Sequence, residues 1–165
     1  MLYQIAYQSP LGHLLIVATP NALCLIDFAQ GKYLQKHLED CQKAFGPLQP
    51  EANAHCVEAQ AQLQDYFAGE RQSFDLPLVF IGSDFQKQVW QALLKIPYGE
   101  SISYAQQAQN IGNAKAVRAV ANANSRNKLA IVVPCHRVLG KNGSLTGYAS
   151  GVDKKAFLLL LEAKI

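Results

Sequence analysis

Carboxylates all but disappear from the second part of this chain. Residues 101–165 hold only Asp153 and Glu162 against nine lysines and arginines, a net of +7. Residues 1–100 hold ten Asp and Glu against six Lys and Arg, a net of −4. So lopsided a half is unlike an ordinary mixed surface and points to a polyanionic partner. Cys24, Cys41, Cys56 and Cys135 stand 17, 15 and 79 residues apart with no Cys-x-x-Cys. That spacing excludes a zinc ribbon and a dense disulfide framework. Met1-Leu2-Tyr3-Gln4 offers no basic segment or cleavage site of a signal peptide. The longest apolar run, Ala156–Leu161, is far shorter than the roughly 20 residues that cross a bilayer. Repeats and low-complexity stretches are also missing. The expectation is a soluble, cytoplasmic, reducing setting, away from membranes. Half of the 165 residues are apolar, enough for a packed core in one or two domains.

What is present reads as two parts. Residues 2–28 look like a three-stranded meander, with turns at Ser9-Pro10-Leu11-Gly12 and Thr19-Pro20-Asn21. Helical patterns cover Gly31–Ala44 and Glu51–Ala68, the second with Cys56, Ala59, Leu63, Tyr66 and Phe67 on one stripe and Gly69 after it. Phe74–Phe80 reads as an edge strand carrying Pro77. A boundary near Ile81-Gly82-Ser83 gives an α/β domain over 1–82 and a mostly α domain over 83–165.

In that second domain, Phe85, Val89, Ala92, Leu93 and Ile96 form a helical stripe that stops at Pro97. Ser103 and Gln106 fit a capping box, and Asn113 stands where it would cap a helix over Ala114–Ala123. Two helices about a glycine turn fit a helix-turn-helix, and equally a plain αα-hairpin. Lys115, Arg118 and Arg126 make a basic ladder beside the small Ala116, Ala119 and Ala123, a face suited to close approach to DNA. Asn142-Gly143 is a turn signal, and a last helix from Asp153 places Phe157, Leu158 and Leu161 on its core stripe.

Ile131-Val132-Val133 reads as a buried strand ended by Pro134, and Cys135-His136-Arg137 follows. Thiolate is the nucleophile, and a basic neighbour lowers the free thiol's pKa of about 8.5. A small buried cysteine beside a histidine by chance fits as well. Glu162, a lone carboxylate on an apolar helix, calls for a partner, and His136 is the candidate.

Taken together these residues resemble one family. Phe85-Gln86-x-x-Val89-Trp90-x-x-Leu93-x-x-Ile96-Pro97-x-Gly99-Glu100, Ser103-Tyr104, Ile111-Gly112, Arg118-Ala119-Val120, Pro134-Cys135-His136-Arg137-Val138, Gly147-Tyr148 and a Leu-Leu-x-x-Glu ending at Glu162 resemble the O6-alkylguanine-DNA alkyltransferases. The resemblance implies a ribonuclease-H-like α/β domain with a small antiparallel sheet, then a winged-helix-like domain with a helix-turn-helix. It implies repair of alkylated DNA by minor-groove binding, flipping of the damaged guanine and transfer of its alkyl group to the protein, with O4-alkylthymine a further candidate substrate. Flipping is needed because the O6 substituent is out of a sulfur's reach inside the stack.

The roles it implies are as follows. Cys135 accepts the alkyl group, His136 is the base acting through a water, and Glu162 orients it. Tyr104 donates to guanine N3, and Asn127 ties down the turn that presents the thiol. Arg118 fills the vacated stack, with Lys115, Ala116, Ala119 and Arg126 along the DNA. Tyr148, Ala149 and Val138 line the base pocket. A stable thioether implies one turnover per molecule, no cofactor, and a monomer acting on double-stranded DNA. Lys128 stands where the family commonly has proline, and Ala149 where it commonly has serine. Cys24, His37, Cys41, His55 and Cys56 do not reproduce the zinc positions of some relatives, so no metal is expected. A non-catalytic module that recognises alkylated bases, and a cysteine hydrolase, are the competing readings.

Overall fold

The computed structural model describes residues 1–163. The chain forms two compact units, Met1–Ile81 with Lys128–Ala130, and Gly82–Asn127 with the residues from Ile131 onward.

In the first unit β1 (Tyr3–Ser9), β2 (Gly12–Ala18) and β3 (Leu23–Phe28) form the antiparallel meander, in register from Tyr3 opposite Ala18 to Leu14 opposite Phe28. Helix α1 (Leu34–Phe45) packs on β3, and α2 (Ala54–Phe67) packs on β1 and β2. Both helices begin about three residues later than the apolar pattern alone suggests. The Asn53 side chain accepts from the Cys56 N–H and so sets where α2 starts.

Every residue of β3 is buried, although it is the last full strand of its sheet. Its outer edge is covered by two fragments, each too short to count as a strand. Leu23 bonds Pro77 and Val79, and Ile26 bonds Lys128 and Ala130. Covering an edge in this way removes a template for unwanted pairing. The strand expected over Phe74–Phe80 is therefore reduced to a single bridge at Leu78, because Pro77 can accept but not donate.

In the second unit α3 (Asp84–Leu93) opens with a full capping box between Ser83 and Gln86. Strand β4 (Ile102–Ser103) leads directly into α4 (Tyr104–Asn110). The Ser103 side chain accepts from the Gln106 N–H, but Gln106 turns its amide to Asn110, so the expected box there is only half made. Helix α5 is Val117–Ser125, not Ala114–Ala123. Asn113 does not cap it with a side chain; its backbone carbonyl accepts from the Ala116 N–H, and Lys115 falls in the turn before the helix. An alanine run is helical over its whole length by propensity and does not mark its own start.

Helices α4 and α5 are locked by a buried reciprocal amide pair, Gln107 with Asn124 at 3.0 and 2.7 Å. Trp90 of α3 donates to the Ala123 carbonyl at 2.8 Å. Ala123 thus faces the core, and only Lys115, Arg118 and Ala119 of the expected DNA face are exposed, with Ala116 and Arg126 half-buried. The short β5 (Val138–Leu139) pairs parallel with β4, and α6 (Val152–Ala163) closes the unit. On α6 the buried positions are Lys155, Leu158 and Glu162, while Phe157 and Leu160 are exposed. The expected stripe of Phe157, Leu158 and Leu161 is rotated, so that the helix points its charges inward.

Candidate active site

The apolar run before Cys135 is buried but is not a strand. Ile131, Val132 and Val133 form a turn, with Ile131 at φ 72°. A β-branched side chain is strongly disfavoured in that left-handed region. A short apolar run cannot by itself distinguish a strand from another buried segment. Pro134, at φ −83° and ψ 64°, is the centre of an inverse γ-turn in which the Cys135 N–H bonds the Val133 carbonyl at 2.9 Å. One 3₁₀ turn, Cys135–Arg137, then delivers the chain to β5.

Asn127 holds this turn from the side. Its Nδ2 donates to the Val133 carbonyl at 2.8 Å and lies 3.3 Å from Cys135 Sγ, a contact that favours an anionic sulfur. Cys135 retains 9% of its surface.

His136 is fully buried, and its Nε2 lies 2.7 Å from Glu162 Oε2. Arg137, the next residue, clamps the same carboxylate, Nε to Oε1 at 2.8 Å and Nη2 to Oε2 at 3.0 Å. Its remaining arm donates to the Ile96 carbonyl at 2.7 Å, and its guanidinium stacks on Tyr98. Gly99, at φ 80°, lets the Pro97–Gly99 turn reach the end of α6, where a Cβ would stand 3.3 Å from the Glu162 carbonyl.

Burial pushes the His136 pKa down. The charges of Arg137 and Lys155 push the same way, while Glu162 opposes them. The imidazole is therefore neutral near pH 7. With Nε2 facing a carboxylate, the proton sits on Nε2 and the lone pair on Nδ1. Nδ1 is buried and has no hydrogen-bond partner among the described residues.

The β4–β5 register, Ile102 opposite Val138 and Ser103 opposite Leu139, brings the start of α4 alongside the cysteine turn. Tyr104, half-buried, donates its hydroxyl proton to the Thr146 carbonyl at 3.0 Å. Burial raises its pKa, a hydrogen bond with Thr146 opposes that, and the charge of Cys135 adds to the rise, so on balance the phenol stays protonated.

Cys135, His136, Glu162, Tyr104 and Asn127 are thus gathered in one unit, and Val138 is buried directly after the turn. Tyr148 and Ala149 lie in the half-buried loop before α6. Two residues belong here beyond those assigned a role from sequence: Arg137, read only as a neighbour of Cys135 and His136, and Lys155. Both are cations, and Lys155 falls three residues before Leu158 and seven before Glu162 on α6, a spacing that marks it as inward-facing. Among the described residues, no three His, Cys, Asp or Glu side chains are grouped so as to hold a metal ion, and no helix is long and apolar enough to cross a membrane.

Two family models match the chain, one after the other. Residues 2–80 match the ribonuclease-like domain of 6-O-methylguanine DNA methyltransferase, and residues 84–164 match its DNA binding domain. A methylated-DNA–protein-cysteine methyltransferase of Methanosarcina acetivorans is 48% identical over 161 residues, covering 98% of each chain. The constitutive methylated-DNA–protein-cysteine methyltransferase of Bacillus subtilis is 47% identical, covering 98% of this chain and 96% of its own. The crystal structure of Mycobacterium tuberculosis OGT in complex with DNA superposes with a TM-score of 0.83 at 40% identity, covering 98% of this chain and 92% of that one. In architecture this is a two-domain protein whose second domain is a DNA-binding domain. The chain belongs to the 6-O-methylguanine DNA methyltransferase family.

Proposed function

We propose that this protein repairs DNA by moving the alkyl group of O6-alkylguanine onto Cys135, once per molecule. The observation that carries this reading is a buried chain of groups that leads to the residue next to the cysteine. Arg137 holds Glu162, Glu162 fixes the tautomer of His136, and the neutral His136 stands beside Cys135.

Asn127 contributes an N–H to Sγ, which stabilises charge there. His136 Nδ1 takes the thiol proton, by way of a water as the family resemblance suggests. The sulfur displaces the alkyl carbon from O6, so that a C–S bond forms as the C–O bond breaks. Tyr104 gives a proton to N3 of the departing guanine, which leaves as a neutral base. Arg118, exposed near the start of α5, occupies the place of the flipped base. Lys115, Ala116, Ala119 and Arg126 lie along the duplex, and Val138, Tyr148 and Ala149 bound the pocket. Phosphate contacts make affinity fall as salt rises.

The test is intact-protein mass after mixing with duplex containing O6-methylguanine. One added methyl group on the peptide holding Cys135 is expected. Cys135→Ala should lose the transfer and keep DNA binding. A wild-type protein that binds the lesion without gaining mass would instead be a recognition module.

A further inference from the structure

Lys155 has no exposed surface. A buried ammonium is costly unless its protons are satisfied and its charge is used. Its Nζ donates to the Thr146 carbonyl at 2.7 Å and lies 3.4 Å from Tyr104 Oη, with the ammonium 5.6 Å from the ring centre. The Tyr104 hydroxyl donates to the same Thr146 carbonyl at 3.0 Å. One backbone oxygen therefore anchors both groups and keeps the phenol oxygen within reach of the ammonium. Gly147, at φ 70°, is part of the arrangement, since a Cβ there would stand 2.9 Å from Tyr104 Oη.

Resting on the alkyl-transfer reading above, we propose that Lys155 is the proton reservoir for the departing base, recharging Tyr104 as Tyr104 protonates guanine. Overall the reaction is proton-neutral, but the proton is released and taken up on two sides of the site, and such a source serves the side of the departing base. The thiol proton goes to His136, on the side of the site where sulfur is activated. A second proton must reach the base, and Tyr104 supplies it at the cost of becoming a phenolate. Nζ–H then passes to Oη, leaving a neutral amine and a neutral phenol. Two features favour this direction. Burial already disfavours the ammonium, and the negative charge of Cys135 is what opposes that effect. Alkylation turns the sulfur into a neutral thioether, so the ammonium loses its support at the moment its proton is needed. Lys155 acts through Tyr104 and is a positioning and relay residue, not one that touches the substrate.

The titratable groups facing Lys155 are Tyr104 from α4 and Cys135 and His136 from the 3₁₀ turn. As pH rises the ammonium is lost below the ordinary lysine range, and transfer from alkylguanine should fall. Ionisation of Cys135 runs the other way and should speed attack on any electrophile. Single-turnover transfer from O6-methylguanine duplex is therefore compared with Cys135 alkylation by iodoacetamide, whose iodide leaving group needs no proton. In the wild-type protein, the first is expected to decline at alkaline pH while the second keeps rising.

Lys155→Met is expected to slow methyl transfer by about 10²–10⁴-fold, the usual range for a lost acid–base step. It should abolish the alkaline decline and slow the iodoacetamide reaction far less than methyl transfer, the small remaining loss being the ammonium's support of the thiolate. Lys155→Met in a Tyr104→Phe background should cost nothing further, because both act on one proton path. Additive losses, an equal loss towards iodoacetamide, or parallel wild-type pH profiles would overturn the relay. Should Lys155→Met fail to fold, the wild-type profiles decide alone. A wild-type protein that never gains a methyl group would sink the functional reading instead, which separates the two failures.

Discussion

Each unit of this molecule buries a histidine against a carboxylate, and the two pairs differ in what is arranged around them. In the first unit His37 Nδ1 lies 3.4 Å from Asp27 Oδ2, and the other oxygen of Asp27 accepts the Phe28 N–H at 2.9 Å. The pair staples the start of α1 to the end of β3. In the second unit the contact tightens to 2.7 Å, a guanidinium grips both oxygens of the carboxylate, and the residue before the histidine is a partly accessible cysteine. The cysteines differ in the same way. Cys24 is pushed up by its hydrogen bond with Cys41 and by burial, and Cys56 by burial. Cys24 has no histidine beside it in the chain, and Cys56 follows His55, which is only half-buried where His136 is fully buried. Residue type is shared between the units; what makes chemistry is the set of charges arranged around it.

The sharpest way to break this comparison is to remove the carboxylate from each pair. Glu162→Gln leaves the buried Arg137 without its counter-charge, which should cost about 3–5 kcal/mol of stability. It also frees the tautomer of His136, and transfer should slow by about 10²–10⁴-fold. Asp27→Asn should cost about 1–3 kcal/mol, the range for an unsatisfied buried group, and leave transfer by the folded protein unchanged. Urea unfolding and single-turnover kinetics on both variants are the measurements. Comparable kinetic losses in the two would mean that the pair in the first unit also serves the reaction.

A milder probe is pH. His136 titrates below its ordinary value, so the base form survives acid that would protonate a free imidazole. Transfer should then keep its rate below pH of about 6.5, the unperturbed histidine value. Stability carries the opposite signature. The unfolded chain takes up a proton near that pH and the folded chain does not, so stability is constant above it. Below it stability should fall by about 1.4 kcal/mol per pH unit, until the folded site protonates too. His136→Gln should remove that slope. A slope unchanged by the substitution would assign it to other groups.

Much of the site was legible in the sequence because its parts break local rules. A lone carboxylate on an apolar helix implied a partner, and Pro-Cys-His-Arg-Val is too specific to arise by packing alone. The meander and α2 were legible for the opposite reason, since Leu14–Ala18 and the Cys56–Leu63–Tyr66 stripe follow their periods faithfully. Lys155 and Arg137 were hidden because a long cation normally reads as surface, and α6 inverts that rule by exposing Phe157 and Leu160. The charge asymmetry was read as a surface property, yet Lys128, Arg137 and Lys155 are three of those nine cations and all are buried. Lys128 bonds the Ile81 carbonyl at 2.8 Å and faces Asp40, so it secures a sheet edge. No periodicity announces three residues joining the edge of a distant sheet.

The smallest effect concerns two buried isoleucines in different backbones. Ile26 lies in β3 with ordinary strand geometry, and Ile131 sits at φ 72° in the turn that carries the thiol. Their exposures, 0% and 1%, make the lost burial nearly equal on truncation. Replacing Ile26 by glycine forfeits that burial, and glycine adds roughly 0.5–1 kcal/mol of backbone entropy cost within a strand. Replacing Ile131 by glycine forfeits the same burial but releases left-handed strain, worth about 1–3 kcal/mol. Glycine's entropy cost falls on both variants, so Ile131→Gly should be the less damaging of the two by about 1–3 kcal/mol, the strain released, as read by urea unfolding. Tight packing of Val132, Val133 and Asn127 around the turn is what holds isoleucine in a conformation that it avoids elsewhere. Equal losses at the two positions would mean that the turn presents Cys135 without storing strain.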